Sequence, residues 1–289
     1  MRNNEDRVSV ADPIEAGADS AAATAQTINL VNQLNFVTPT EIVELPSKGL
    51  FYESYHPLHN KADVEIRLMT AKDEDTLSSK SLIKKGIVID RLIQDLLVDK
   101  SVRTEDLLVC DKNAIMIAAR KSGYGSDYST RVTCPNCSLI QEYTFDLNEC
   151  TNIHLNDPSN LPEGVKRIGQ NMFCFSLPVS KFEWVVKLMT GREEQIITQK
   201  QLNQQKDGKD TYLLEMLKSI TLSISGASDS KLIDKAIELL PIKDFKLFKE
   251  KLNVINPKVE LKSNFSCISC DYRTDLEVPF TTDFFWPKR

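Results

Sequence analysis

The chain has 289 residues, of which 36 are basic and 41 acidic, giving a formal net charge of -5 and a sequence pI of about 5.4. That balance argues against a general nucleic-acid binder, which carries a basic surplus. No stretch approaches the roughly 18 apolar residues of a membrane span, and the opening MRNNEDRVSVADPIEAG lacks the apolar core of a secretory signal.

Residues 1–40 read as a flexible arm. ADPIEAGADSAAATAQ is small, polar and Ala-rich and can bury little apolar area. TINLVNQLNF (27–36) is a candidate helix that forms on contact with a partner. The folded body is expected to start at EIVELPSKGLFY (41–52), where Ile42 and Val43 are strand-like and Pro46 to Gly49 form a turn. DVEIRLMT (63–70) places Val64, Ile66 and Leu68 on one face, as a half-buried strand does. Helical periodicity follows at 87–98 and 104–120, and KSGYGSDY (121–128) reads as a loop. A strand is expected at 141–147, and another at 169–178 with Phe173, Phe175 and Leu177 on one face. The segment 180–189 fits a strand or a helix. Helices are expected at roughly 192–204, 210–222, 229–240 and 243–253.

Two seven-residue stretches match: LMTAKDE at 68–74 and LMTGREE at 188–194. Each has the pattern of a helix start. Thr70 or Thr190 takes the N-cap, and Asp73 or Glu193 falls where a capping box places its acid. Glu74 or Glu194 favours the positive end of the helix dipole. These carboxylates read as caps, not as a catalytic acid pair.

Behind each cap lies a C-x-x-C knuckle, Cys134 and Cys137 in one case, Cys267 and Cys270 in the other. The strand phases around the knuckles agree: Val132 and Phe265 each lie two before the first cysteine, and Tyr143 and Leu276 each lie six after the second. The order of strand, capped helix, further helix, knuckle and strand therefore occurs twice. The fold expected is α+β: two pseudo-repeated halves, 41–150 and 151–289, joined at a zinc-ribbon-like four-cysteine site, with the flexible arm ahead of them.

The seven cysteines are expected in a reducing compartment, where thiols and metal sites outnumber disulfides. Four thiolates in two C-x2-C pairs read as a structural zinc site for one ion, closed because no coordination position is left open. The separation of the pairs is far longer than usual, and pseudo-symmetric packing of two halves is what would bring them together. The alternative is two unrelated turns with reduced thiols. Cys110 and Cys174 read as small buried hydrophobes. Cys150 with His154, and His56 with His59, are weak ligand signals that lack partners.

Phosphate-loop, dinucleotide, zincin and nucleophile-elbow motifs are all missing, so no catalytic residue is assigned and the chain reads as a non-enzyme. The ending VPFTTDFFWPKR clusters Phe284, Phe285 and Trp286. Such aromatics either anchor a partner or fold back over the chain's own core.

ELPSKGLFY (44–52), RLMTAKDEDTL (67–77), RKSGYGSDY ahead of CPNC, and the final C-x-x-C followed by DFFWP together resemble the baseplate hub-subunit family of T-even-type contractile-tailed bacteriophages. The likeness runs over 41–147 and 264–287. The arm is longer than the family pattern, and 151–263 is a large insert. The resemblance implies a virion structural protein of the tail baseplate, made in the host bacterial cytoplasm and contacting other hub proteins. The cysteines at 134, 137, 267 and 270 match the family's paired knuckles. An assembly chaperone that leaves before the particle is complete is the alternative. A zinc-ribbon nucleic-acid binder is a further one, weakened by the presence of only Arg131 and Arg273 near the knuckles.

Overall fold

The computed structural model describes residues 38–155, 161–204, 212–260, 262–277 and 284–285; residues 1–37 of the arm expected at 1–40, and Trp286, lie outside them. Thr40 opens the first strand, and the described residues from Thr40 onward form one compact unit.

The first strands, β1 (Thr40–Glu44) and β2 (Asp63–Arg67), pair antiparallel, with Val43 opposite Val64. Three helices follow: α1 (Ala71–Leu77), α2 (Lys80–Lys84) and α3 (Val88–Leu96). Helix α3 buries Val88, Leu92, Ile93 and Leu96, one stripe at helical spacing. The expected helix from 104 is interrupted. A 3-10 turn spans Thr104–Asp106, residues 107 and 108 are extended, and α4 runs Val109–Tyr124. The break is held in place by Tyr52, whose hydroxyl accepts the Leu108 N–H at 3.0 Å. Helix α4 continues through the first half of the expected loop at 121–128, and β3 (Asp127–Thr133) begins within its second half. The α4 terminus falls at Gly125, whose φ of 85° is open to glycine.

Strands β3 and β4 (Ile140–Asp146) form a hairpin, and β5 (Thr151–Ile153) follows. The next sheet is four-stranded and antiparallel, in the order β6 (Val165–Gly169), β7 (Met172–Ser176), β8 (Glu183–Val186), β9 (Thr221–Ile224). Phe173, Phe175 and Leu177 are buried together, as their alternation predicts. The ambiguous segment at 180–189 carries a strand, β8, only at Glu183–Val186. Helices α5 (Gly191–Gln204), α6 (Tyr212–Ile220), α7 (Ser230–Glu238) and α8 (Ile242–Ile255) follow the expected spans closely. One end is corrected: α6 stops at Ile220, and Thr221–Ile224, rich in β-branched residues, joins the sheet beside β8 instead. Strand β10 (Lys258–Glu260) pairs with β5, and β11 (Lys262–Ser266) forms a hairpin with β12 (Arg273–Glu277).

Several devices occur twice. Asp73 accepts from the Thr70 N–H and hydroxyl, both at 2.8 Å, and from both terminal nitrogens of Arg67. Glu193 accepts from the Thr190 N–H at 2.9 Å, from its hydroxyl at 2.5 Å, and from Lys187 at 2.8 Å. Desolvation pushes both carboxyls up, but these donors outweigh it and hold each below its ordinary value. The caps are therefore ion-paired as well, with a base that ends the preceding strand segment.

A second device ties a turn to a helix. Asp111, fully buried on α4, accepts from the Ser47 N–H at 3.0 Å and from the Ser47 and Tyr52 hydroxyls, each at 2.6 Å. Asp244, fully buried on α8, accepts from the N–H groups of Val179 at 3.0 Å and Ser180 at 2.7 Å. The turns read Leu45-Pro46-Ser47-Lys48 and Leu177-Pro178-Val179-Ser180-Lys181, and both lysines have left-handed backbone, φ 49° and 57°. Each aspartate is the third residue of its helix and stands 23 residues ahead of the first knuckle cysteine. Gly49 closes the first turn. At its φ of 70°, a Cβ would lie 2.4 Å from the Leu58 carbonyl oxygen, so glycine is required there.

A buried ion triad spans the chain. Lys112 on α4 pairs with Asp90 on α3 and Glu194 on α5, while Gln195 donates to Asp90 at 2.9 Å. Glu194 thus does more than face a helix dipole. Burial alone would push the Lys112 ammonium down, but the two carboxylates hold it above its ordinary value.

Candidate metal centre

Each knuckle is the end of a hairpin. In the first, Thr133 faces Ile140, so residues 134–139 make the link. The Cys134 N–H donates to the Leu139 carbonyl at 2.8 Å, the Ser138 N–H to the Cys134 carbonyl at 2.9 Å, and Ser138 turns the chain at φ 60°. In the second, Ser266 faces Arg273. The Cys267 N–H donates to the Tyr272 carbonyl at 2.9 Å, the Asp271 N–H to the Cys267 carbonyl at 3.2 Å, and Asp271 turns at φ 52°. The two loops share one geometry, position for position.

The pairing of β5 with β10 joins the chain after the first hairpin to the chain before the second. The hairpins meet through Tyr143 and Phe265, whose ring centroids are 5.5 Å apart. They also meet through Gln141, buried on β4, which donates from Nε2 to the Ser266 carbonyl at 3.2 Å and accepts the Ile268 N–H on Oε1 at 3.1 Å. Its amide thus grips the backbone on both sides of Cys267.

The four sulfurs lie within 4.8 Å of one another. The short contacts run between hairpins: Cys134 to Cys270 at 3.7 Å and Cys137 to Cys267 at 3.6 Å. None of the four is in a disulfide. A tetrahedral zinc with metal–sulfur bonds of about 2.3 Å has sulfur–sulfur edges of about 3.8 Å. The donor set therefore fits one metal ion of that size. Cys134 and Cys267 are buried and Cys137 faces solvent. Asn136 donates toward the Cys270 sulfur at 3.5 Å, which with the backbone hydrogen bond at Tyr272 lowers that thiol to about 6.

The other candidates are placed elsewhere. His154 is engaged at Nδ1 by the Pro46 carbonyl at 2.9 Å and at Nε2 by Glu44 at 3.2 Å, so it braces β1 and does not join Cys150 in a ligand cluster. His56 accepts the Leu58 N–H on Nδ1 and stacks on Tyr52 at 4.2 Å, and His59 bonds the Tyr52 carbonyl. Cys110 is buried, as expected; Cys174 is only half-buried on β7. Phe284 and Phe285 are both buried in the chain's own core, where Phe284 packs on Tyr128 at 5.1 Å. The Arg120 Nε–H donates to the Phe284 carbonyl at 2.9 Å.

Sequence reasoning missed Gln141, Asp111 and Asp244. The repeated Leu-Pro…Ser-Lys turns and the shared spacing from each aspartate to its knuckle were signals for the last two. Gln141 has no such signal, because its partners lie more than a hundred residues away.

An α+β body brings four thiols from two distant hairpins close enough to hold one metal ion. The chain belongs to the family described as T4 bacteriophage base plate protein, whose model matches residues 38–286. The match runs through 151–263, which the sequence reading treated as an insert. Neither a curated protein nor a solved structure matches. Membership implies a structural protein located in the virion tail baseplate and contacting other baseplate proteins. No helix among the described residues is long and apolar enough to cross a membrane.

Proposed function

We propose that this chain is a structural subunit of the baseplate hub of a contractile-tailed phage, and that one zinc ion on Cys134, Cys137, Cys267 and Cys270 staples its two halves. The observation that carries the reading is the meeting of four sulfurs from hairpins 133 residues apart, in a chain of a baseplate family. Zinc supplies a redox-inert cross-link, and the fold supplies everything else: matched loops aim the thiols, and Gln141 and Tyr143 dock one hairpin on the other. With four thiolates bound, no position is left for substrate or water, so the metal is structural.

The paired caps, the paired turn–aspartate ties and the matched knuckles support an ancient duplication, with 41–150 and 151–289 as its copies. Each copy contributes one hairpin to the clamp. The arm at 1–40 and the region around Trp286 are the segments assigned to neighbouring hub proteins.

The test has two arms. Metal analysis of purified protein is expected to return one zinc per chain, and Cys267→Ser is expected to lose it. Mass spectrometry of purified mature tails is expected to find the chain at a fixed ratio to other baseplate proteins. Less than about half an equivalent of zinc overturns the staple. Presence in infected cells with absence from tails overturns the structural-subunit reading in favour of an assembly factor.

A further inference from the structure

The close sulfur contacts of the four-cysteine site cross from one hairpin to the other. The Cys134 and Cys270 sulfurs are 3.7 Å apart, and those of Cys137 and Cys267 are 3.6 Å apart. Each contact joins the first cysteine of one loop to the second of the other, so the two are equivalent under exchange of the matched loops. Each also joins a buried thiol to a more accessible one. Cys267 is buried and Cys137 exposed; Cys134 is buried and Cys270 half-buried. Hydrogen bonds fix the loops in this arrangement. Asn136 of the first loop donates toward the Cys270 sulfur of the second at 3.5 Å, the Ser269 N–H donates toward the Cys267 sulfur at 3.5 Å, and Gln141 holds the backbone on both sides of Cys267. A disulfide needs its sulfurs about 2.05 Å apart, so each pair has about 1.6 Å to close, or about 0.8 Å per side chain.

We propose that this cluster is also a redox site, which under peroxide closes as two disulfides, Cys134 to Cys270 and Cys137 to Cys267, and so keeps the hairpins joined once the metal has gone. The proposal rests on the reading of the four cysteines as one zinc staple and adds a second, covalent state to it. In each pair the peroxide first oxidises the accessible thiol to a sulfenic acid and leaves as water. The buried thiol then attacks that sulfur and expels a second water. Two thiols thereby lose two electrons and two protons, one peroxide molecule becomes two waters, and an ion held by the thiolates is released.

Connectivity decides whether the clamp survives oxidation. Four cysteines can pair in three ways. Pairing within each C-x-x-C would close two short loops and leave the hairpins without a covalent link. The proposed pairs are 136 and 130 residues apart, and a cross-link over so long a loop constrains the unfolded chain most. A virion part passes from a reducing cytoplasm to an oxidising medium, and a site with these two states holds its hairpins together in both.

The experiment uses the purified full chain, with its zinc content measured first. One portion is oxidised with hydrogen peroxide in the presence of a chelator, and another is kept reduced with the same chelator. Intact mass is measured, free thiols are alkylated under denaturing conditions, and unreduced peptides are sequenced by mass spectrometry. Oxidation is expected to lower the intact mass by about 4 Da and to yield peptides joining 134 to 270 and 137 to 267. Cys110, Cys150 and Cys174 are expected to be alkylated, and the oxidised protein to have a higher urea midpoint than the reduced one. Pairs within a loop, pairs joining 134 to 267, disulfides to Cys150 or Cys174, or sulfinic and sulfonic acids as the main products overturn the proposal, as does a midpoint that does not rise. Zinc content separates this result from the staple itself. A full equivalent of zinc with the wrong connectivity overturns the redox site alone, and less than about half an equivalent with the two expected disulfides overturns the staple alone.

Discussion

The Phe284→Ala substitution tests whether the C-terminal aromatics belong to the core. Phe284 is 2% exposed, with its ring against Tyr128 at 5.1 Å and Phe285 at 5.3 Å. Removing a phenylalanine ring from such a site costs about 3–5 kcal/mol, because lost transfer energy adds to the cavity left behind. The backbone carbonyl that accepts from Arg120 survives the substitution, so the loss is one of packing alone. Truncation after Thr282 goes further. It removes both buried rings and takes from the buried Arg120 Nε–H its acceptor, which costs a further 1–3 kcal/mol or so. The total, about 7–13 kcal/mol, rivals the whole stability of an ordinary domain. Phe284→Ala is therefore expected to fold with a lowered urea midpoint, and the truncated chain to be insoluble. Urea titration of the zinc-saturated protein, followed by the fluorescence of buried Trp184, measures the first. A loss below about 1 kcal/mol for Phe284→Ala, or a soluble and cooperative truncated chain, refutes the reasoning and returns the aromatics to an interface role.

Gln141→Leu removes the two hydrogen bonds that flank Cys267 while leaving all four thiols in place. It is expected to weaken zinc retention about 10- to 100-fold in competition with a chelator, and an unchanged chelator midpoint counts against Gln141 as the residue that docks the hairpins. Lys112→Met takes the cation from Asp90 and Glu194, leaving Asp90 only its Gln195 donor, and is expected to cost about 1–3 kcal/mol, recovered in large part when both carboxylates are also made leucine; equal stability of the single and triple variants, by urea titration, contradicts this. Asp73 and Glu193 have folded-state carboxyls held below their unfolded values. The stability they add is therefore fully present above about pH 4.5 and is lost as pH falls from there through the folded values. Asp73→Asn with Glu193→Gln is expected to flatten the fall in urea midpoint below about pH 4.5 relative to the native chain, and parallel curves would show that neither carboxylate is linked to folding.

What was legible in the sequence was local. The caps at Thr70 and Thr190 are readable because each acid needs only the backbone three residues away. The knuckles are readable because two thiols at C-x-x-C spacing already define one side of a tetrahedron. The helix stripes and the strand of Phe173 and Phe175 follow from periodicity alone. Where reading failed, a distant group had intervened. Tyr52 breaks the helix expected at 104, and the edge of β8 draws Thr221–Ile224 out of α6.

The sequence by itself determined the pieces: two capped helices, two cysteine loops, an acidic chain without catalytic motifs, and the order that resembles a baseplate family. Only the tertiary structure decided that the four thiols meet, that Gln141 locks their hairpins, that Lys112 joins α3 to α5, and that Phe284 and Phe285 point into the core. The physical reason is the range of the forces that decide each feature. Capping, turns and periodicity act over three or four residues and leave their mark in neighbouring letters. A four-thiol cluster, an ion triad on a buried lysine and a packed ring depend on groups from tens to more than a hundred residues apart along the chain, which only the folded backbone brings within a few ångströms.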